Sequence, residues 1–254
     1  MSTAVVVAIV SGAMSLAAAG IALASGRSVA RLSSELDERR RNASKREQAE
    51  ELRARYRDPL LAAVFDLQSR LYNIVAQDFL EHYVRRERGG ESARQYAVEN
   101  TLHLLAEYLA WVEIIRREIQ FLDLGEELAN RRWVQALERV RDVLARDDID
   151  PVLRVFRGEQ RAIGETMTVV LKDSDSGRVR ESLGYAEFVA RRREPCFARW
   201  FGKLEADLNT LASEPAEHLE RAVLLQHSLI DVLDVLDEEC SRFPAERRSR
   251  LTTS

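Results

Sequence analysis

Two hydrophobic patterns succeed one another along the chain. From Thr3 to Ser25 the sequence TAVVVAIVSGAMSLAAAGIALAS is apolar on every helical face, and no charged side chain occurs between Met1 and Gly26. As a helix rising about 1.5 Å per residue, that stretch is long enough to cross a hydrocarbon layer of about 30 Å. Beyond it, apolar residues recur every three or four positions, the spacing of helices that bury one stripe. The pattern predicts an all-α chain: an N-terminal single transmembrane helix at 1–26, a basic helical stalk at 27–57, an antiparallel multi-helix bundle at 58–243 and a flexible tail at 244–254.

Within the stalk, Val29, Leu32 and Leu36 share a stripe that lapses through RRRNASKREQAEELRARYR, so a coiled coil there has little apolar support. Asp58-Pro59 reads as a helix start, because aspartate caps free amides and proline at the first helical position gives up no bond. Leu60, Val64, Leu67, Leu71 and Val75 continue from it, and RRERGGES at 85–92 supplies a turn. A second run passes through Leu102, Leu105, Leu109, Val112 and Ile119, and a third through Trp133, Leu137, Val140 and Leu144. Asp150-Pro151 repeats the capped start and opens a segment reaching Leu171, interrupted by Gly158 and Gly164. KDSDSG at 172–177 is the clearest loop. Helices flank Pro195, and Pro215 opens a final long one extending to about Phe243.

Charge next to the apolar span fixes its expected orientation. Nothing basic precedes it, whereas Arg27, Arg31, Arg39, Arg40 and Arg41 follow it, so the positive-inside rule puts the N-terminus outside and the helical domain in the cytoplasm of a single-pass cell-membrane protein. These arginines can also contact anionic lipid headgroups. Ala22-Leu23-Ala24 resembles a signal-peptidase site, and an alanine-rich helix also suits the core of an oligomer; cleaved signal and buried helix are the alternatives. Small residues at Ala8 and Gly12, and at Ser11, Ser15 and Ala19, allow close helix approach and hence a homodimer.

Residues 1–57 hold 10 basic and 6 acidic side chains, leaving 28 basic and 36 acidic beyond. A net-acidic domain without a basic stripe points away from nucleic acid and toward membrane lipid and protein partners. Cys196 and Cys240 have neither metal-ligand nor disulfide-scaffold spacing, so both read as reduced structural thiols.

Candidate chemistry is sparse. Glu99, His103 and Glu107 share a helical face, but the wheel sets them opposite the apolar stripe, as a solvated polar row. His227, Asp231, Asp234 and Glu238 read likewise as a solvated acidic face that could attract a basic partner. Paired Glu-x-x-His elements of the di-iron kind are missing, as are a nucleophile elbow and a phosphate loop, and the pattern calls for no metal and no cofactor. The stretch from Phe156 to Glu165 sets charges and two glycines in an otherwise apolar helix. Its Glu159, Arg161 and Glu165 are the candidate ligand-binding residues, with KDSDSG as an entrance. The expected function is a noncatalytic membrane-anchored scaffold or adaptor. The alternative is a membrane-tethered ligand-binding domain or enzyme with a polar site around residues 156–177.

Overall fold

A computed structural model of the chain describes Met14, Glu47 and residues 36–44, 55–118, 127–173 and 177–252. No helix among them is long and apolar enough to cross a membrane. Apart from Met14, the Thr3 to Ser25 span lies outside the described residues, as do Arg27 and Arg31. The chain divides into two units, 1–52 and 53–254. In the first, residues 36–44 are helical and exposed, and carry Arg39, Arg40 and Arg41; Arg41 Nε donates to the Asp37 carbonyl at 3.3 Å.

The second unit is mostly helical. Helix α1 spans residues 55–76 and buries Leu60, Leu61, Val64, Leu67, Leu71 and Ile74 on one stripe. It already includes residues 55–57, so Asp58-Pro59 does not open it; Tyr56 is buried and Arg57 Nε donates to the Leu236 carbonyl at 2.8 Å. Asp78, at φ 49°, ends the run. A π-helical turn, Glu81–Arg85, follows, and Gly89 and Gly90, at φ 89° and 72°, turn the chain into α2, Gly90–Glu118. After α3, Glu127–Ala145, come α4, Arg157–Thr166, strands β1, Thr168–Asp173, and β2, Gly177–Ser182, then α5, Tyr185–Arg191, and α6, Pro195–Ser213. A four-residue α7, Pro215–His218, precedes α8, Glu220–Leu236.

Helix α2 is central: α4, α5, α6 and β2 all pack on it. Neighbours on several sides explain why it buries not only Leu102, Leu105 and Leu109 but also Thr101, His103 and Glu113. The solvated row expected at Glu99, His103 and Glu107 is therefore corrected. His103 is buried, with its ring edge-on to Tyr185 and Phe188 and its Nε2 3.1 Å from the Leu183 carbonyl. Glu99 pairs with Arg192 at 2.9 Å.

Where α4 crosses α2, Gly164 is required by proximity. A Cβ there would lie 2.6 Å from the Leu109 carbonyl oxygen and 2.7 Å from Glu113 Cβ, whereas one at Gly158 would meet nothing within 4 Å. Gly164→Ala is expected to cost about 1–2 kcal/mol, overpacking exceeding the helix-propensity gain, and Gly158→Ala to add up to about 1 kcal/mol. Urea unfolding midpoints of the two variants should move in opposite directions; a shared direction would leave propensity as the sole factor.

The segment from Asp150-Pro151 to Leu171 is not one helix. Asp150 Oδ1 accepts the Val152 amide in a turn, Leu153 sits at φ 59°, and α4 begins only at Arg157. Past Thr166 the β-branched run Thr168-Val169-Val170 forms an antiparallel hairpin with β2, pairing Val170 with Arg180 and Lys172 with Arg178. The chain is mostly helical, as the all-α expectation has it, with a short antiparallel hairpin added among the described residues; Lys172, Asp173 and Gly177 of KDSDSG belong to its strands, and residues 174–176 lie outside the described residues.

The final helix also ends early, at Leu236, because Asp237 turns back to collect the following amides. The end expected to be a flexible tail is fastened down through its described residues. Arg248 and Leu251 are buried, Gln226 Nε2 donates to the Ser249 carbonyl at 2.9 Å, and the Leu251 amide donates to Gln226 Oε1 at 3.2 Å. Two buried glutamines on different helices, Gln68 and Gln226, supply side-chain partners for the backbone of a segment that leaves a short 3-10 turn, Ala245–Arg247, and joins no sheet.

Candidate functional site

The three polar residues singled out on α4 do not converge. Glu159 Oε2 accepts the Phe156 amide at 2.8 Å, capping its own helix. Arg161 is exposed and forms no ion pair among the described residues. Glu165 pairs at 2.5 Å with Arg117, which also bonds Glu113. Neighbouring Arg157 is held by Glu138 and Asp142 of α3.

The acidic face of α8 is paired with arginines as well. Asp231 meets Arg139 at 3.3 Å and Arg250 at 2.7 Å, and Asp234 meets Arg248 at 3.4 Å. His227 Nε2 lies 2.7 Å from the Leu251 carbonyl. The face stays solvated at Asp234 and Glu238, as expected, but its carboxylates are engaged by arginines of this chain, two of which come from the fastened C-terminal segment, and so are not free for a basic partner. Among the described residues, Glu214, Glu217 and His218 bring three ligand atoms within 4.8 Å of one another. That group is at the surface beside a four-residue helix, and His218 also turns to Asp150 at 3.1 Å.

Polar groups gather instead on the outward side of α1. Asp66, Ser69, Arg70 and Asn73 recur at helical spacing on one face, and Asn100 and Leu104 of α2 stand across from them around a pocket of about 270 Å³. A second groove of about 530 Å³ shares Asp66, Ser69 and Asn73 and is walled on its far side by Glu246, Arg247 and Ser249. The fastened C-terminal segment thus builds part of the groove.

The carboxyl groups here titrate above their ordinary values. Burial against the groove wall raises the pKa of Asp66 although much of the residue is exposed. Burial also raises Glu107, with repulsion from Asp66 adding to it. His103, 3.8 Å from Glu107, is pushed down by burial against the opposing effect of the Leu183 carbonyl. A neutral imidazole donating through Nε2 to Leu183 leaves Nδ1 without a proton, 3.8 Å from Glu107 and not hydrogen-bonded to it.

Arg70 differs from the other buried arginines. Arg221 gives its donors to backbone carbonyls, and Arg248 pairs with Asp237 and the Phe243 carbonyl. Arg70, 8% exposed, lies with its guanidinium 4.1 Å from the centroid of Phe79 and 5.7 Å from that of Tyr96. Its Nη2 donates to Asn100 Oδ1 at 2.6 Å, and its Nη1 is buried without a partner. Burial lowers its pKa, with Tyr96 opposing, and although Asp66 lines the same pocket, Arg70 forms no ion pair among the described residues. An unpaired buried nitrogen on a cation costs about 1–3 kcal/mol or more.

Sequence reading passed over this site because Arg70 on an amphipathic helix looks like any solvated arginine. The available signal was Asp66, Ser69, Arg70 and Asn73 sharing one face. No protein family, curated protein or solved structure matches the chain.

Proposed function

We propose that the chain is a membrane-anchored, noncatalytic adaptor. In this reading the 1–26 segment spans the cell membrane with its N-terminus outside, the following arginines rest on the inner leaflet, and the bundle is offered to a protein partner in the cytoplasm. The observation that carries it is the β-hairpin. Val170 and Leu171 are 53% and 47% exposed, on opposite faces of β1, so the strand leaves the bundle beyond Val169, which still packs against the core. Lys172 and Arg178 face each other across the ladder. Like charges placed so are unfavourable alone and are relieved by an acidic partner. An extended acidic segment adding to the open edge of the hairpin satisfies both features.

The second reading, a tethered ligand-binding domain or enzyme at residues 156–177, loses its convergent polar groups to caps and pairs. A role as homodimer through the small residues of the anchor is compatible with either reading.

Two measurements test the proposal. Alkaline extraction is expected to leave the intact chain in the membrane pellet; release into the supernatant, or a mature N-terminus near Ser25, would sink the anchor. Crosslinking in intact membranes is expected to capture one stoichiometric protein partner, and the double reversal Lys172→Glu with Arg178→Glu to abolish that capture. Capture unaffected by the reversal removes the hairpin from the interface.

A further inference from the structure

We propose that the pocket floored by Arg70 is a binding site for a small organic carboxylate, held by the Arg70 guanidinium and by the neutral donors of Ser69, Asn73 and Asn100. The inference stands independently of the membrane reading.

Arg70 lines the pocket, and the hydrogen-bond partners of its guanidinium are the neutral groups of Asn100 and Tyr96. Flat aromatic faces hold it in place without neutralising it. Such a cation, fixed in a fork geometry and lacking an anion, is complementary to a carboxylate.

The surrounding donors are also uncommitted. Asn100 uses its Oδ1 as acceptor for Arg70, which leaves its amide protons free. Ser69 Oγ accepts from Gln68 Nε2 at 2.9 Å, leaving its own proton to give. Asn73 lines the same pocket, and its side chain has no protein partner among the described residues.

Charge selects among anions. Asp66 lines the pocket and Glu107 lies close enough to repel it, so a second negative charge on the ligand would face two carboxyl groups. A monoanionic carboxylate brings one charge to one guanidinium; a phosphate dianion brings too many. The volume of about 270 Å³ suits a molecule of a few carbons, and Leu104 offers it one apolar wall.

The test uses the full chain in detergent, with acetate as probe against chloride and inorganic phosphate at matched ionic strength. Saturation-transfer NMR on the acetate methyl group is expected to show saturable binding, with a rise in melting temperature that chloride does not produce and phosphate produces only weakly. Asn100→Asp sets a carboxylate beside Arg70 and should keep the fold while erasing the acetate response. Arg70→Lys is expected to weaken acetate binding by about tenfold or more. Acetate behaving like chloride, or an Asn100→Asp chain that still responds, overturns the site, and phosphate binding more strongly than acetate overturns the ligand class.

Discussion

Replacing Arg221 with methionine is expected to remove about 3–5 kcal/mol of folding stability, a large part of what a domain of this kind possesses. The side chain is fully buried and carries no carboxylate partner in hydrogen-bond contact. It donates instead to the carbonyls of Val152 at 3.1 Å, Leu144 at 3.4 Å, and Arg146 and Asp150 at 2.8 Å each, and to that of Val143. Val143 and Leu144 belong to the last turn of α3, whose carbonyls have no intrahelical donors. One guanidinium on α8 therefore closes the end of α3 and shapes the connector after it. Methionine preserves volume but takes the donor from the Val143, Arg146, Asp150 and Val152 carbonyls, Leu144 alone keeping the Val155 amide at 2.9 Å, and lysine has too few donors, set in the wrong geometry. Urea unfolding of the full chain reads the effect; a loss below about 1 kcal/mol for Arg221→Met would show that water replaces the guanidinium readily.

Asp237→Ala is expected to cost about 3 kcal/mol or more, since it strands the buried Arg248 cation. Asp237 Oδ1 accepts the Ser241 amide and hydroxyl, both at 2.9 Å, and Oδ2 accepts the Phe243 amide at 3.1 Å. Burial pushes its pKa up, but the Phe243, Ser241 and Arg242 donors more than offset this and leave it below the ordinary value of 3.8. The sign follows from linkage: a depressed folded pKa contributes stability that is complete above about 3.8 and lost as pH falls through the lower, folded value. Acidification from pH 5 should thus lower the urea midpoint of the native chain more than that of Asp237→Asn. Parallel acid profiles would remove Asp237 from the acid response.

Helix positions were legible in the chain wherever apolar spacing was long and regular, as in α1, α2 and α3. The departures have identifiable causes. His103 falls opposite the strongest apolar stripe of α2, yet a central helix has neighbours on several sides, and a wheel drawn from one element cannot count them. Thr168 to Leu171 is a short apolar run that satisfies helical and strand periods equally, so the sequence alone does not distinguish a hairpin there from the end of a helix. The C-terminal segment is polar and short, features shared by loose ends; only Gln68 and Gln226, remote in sequence, make it a fixed part of the fold. Arg70 and Arg221 show the same limit most plainly. Both are arginines on helices, and what separates them is whether the rest of the chain supplies acceptors.

The bonds made by Arg221 also set the terms on which the connector after α3 can change. Because the guanidinium hydrogen-bonds only main-chain oxygens there, its bonds do not depend on which side chains sit at the exposed positions Arg146, Asp147 and Asp148, whose charges reach it only through space. Their composition is free to drift. Length is not: one residue inserted or deleted between Leu144 and Val152 carries the carbonyls of Arg146 and Asp150 out of register with a donor anchored on another helix. The connector is thus permissive to substitution and intolerant of insertion, the reverse of an ordinary surface loop.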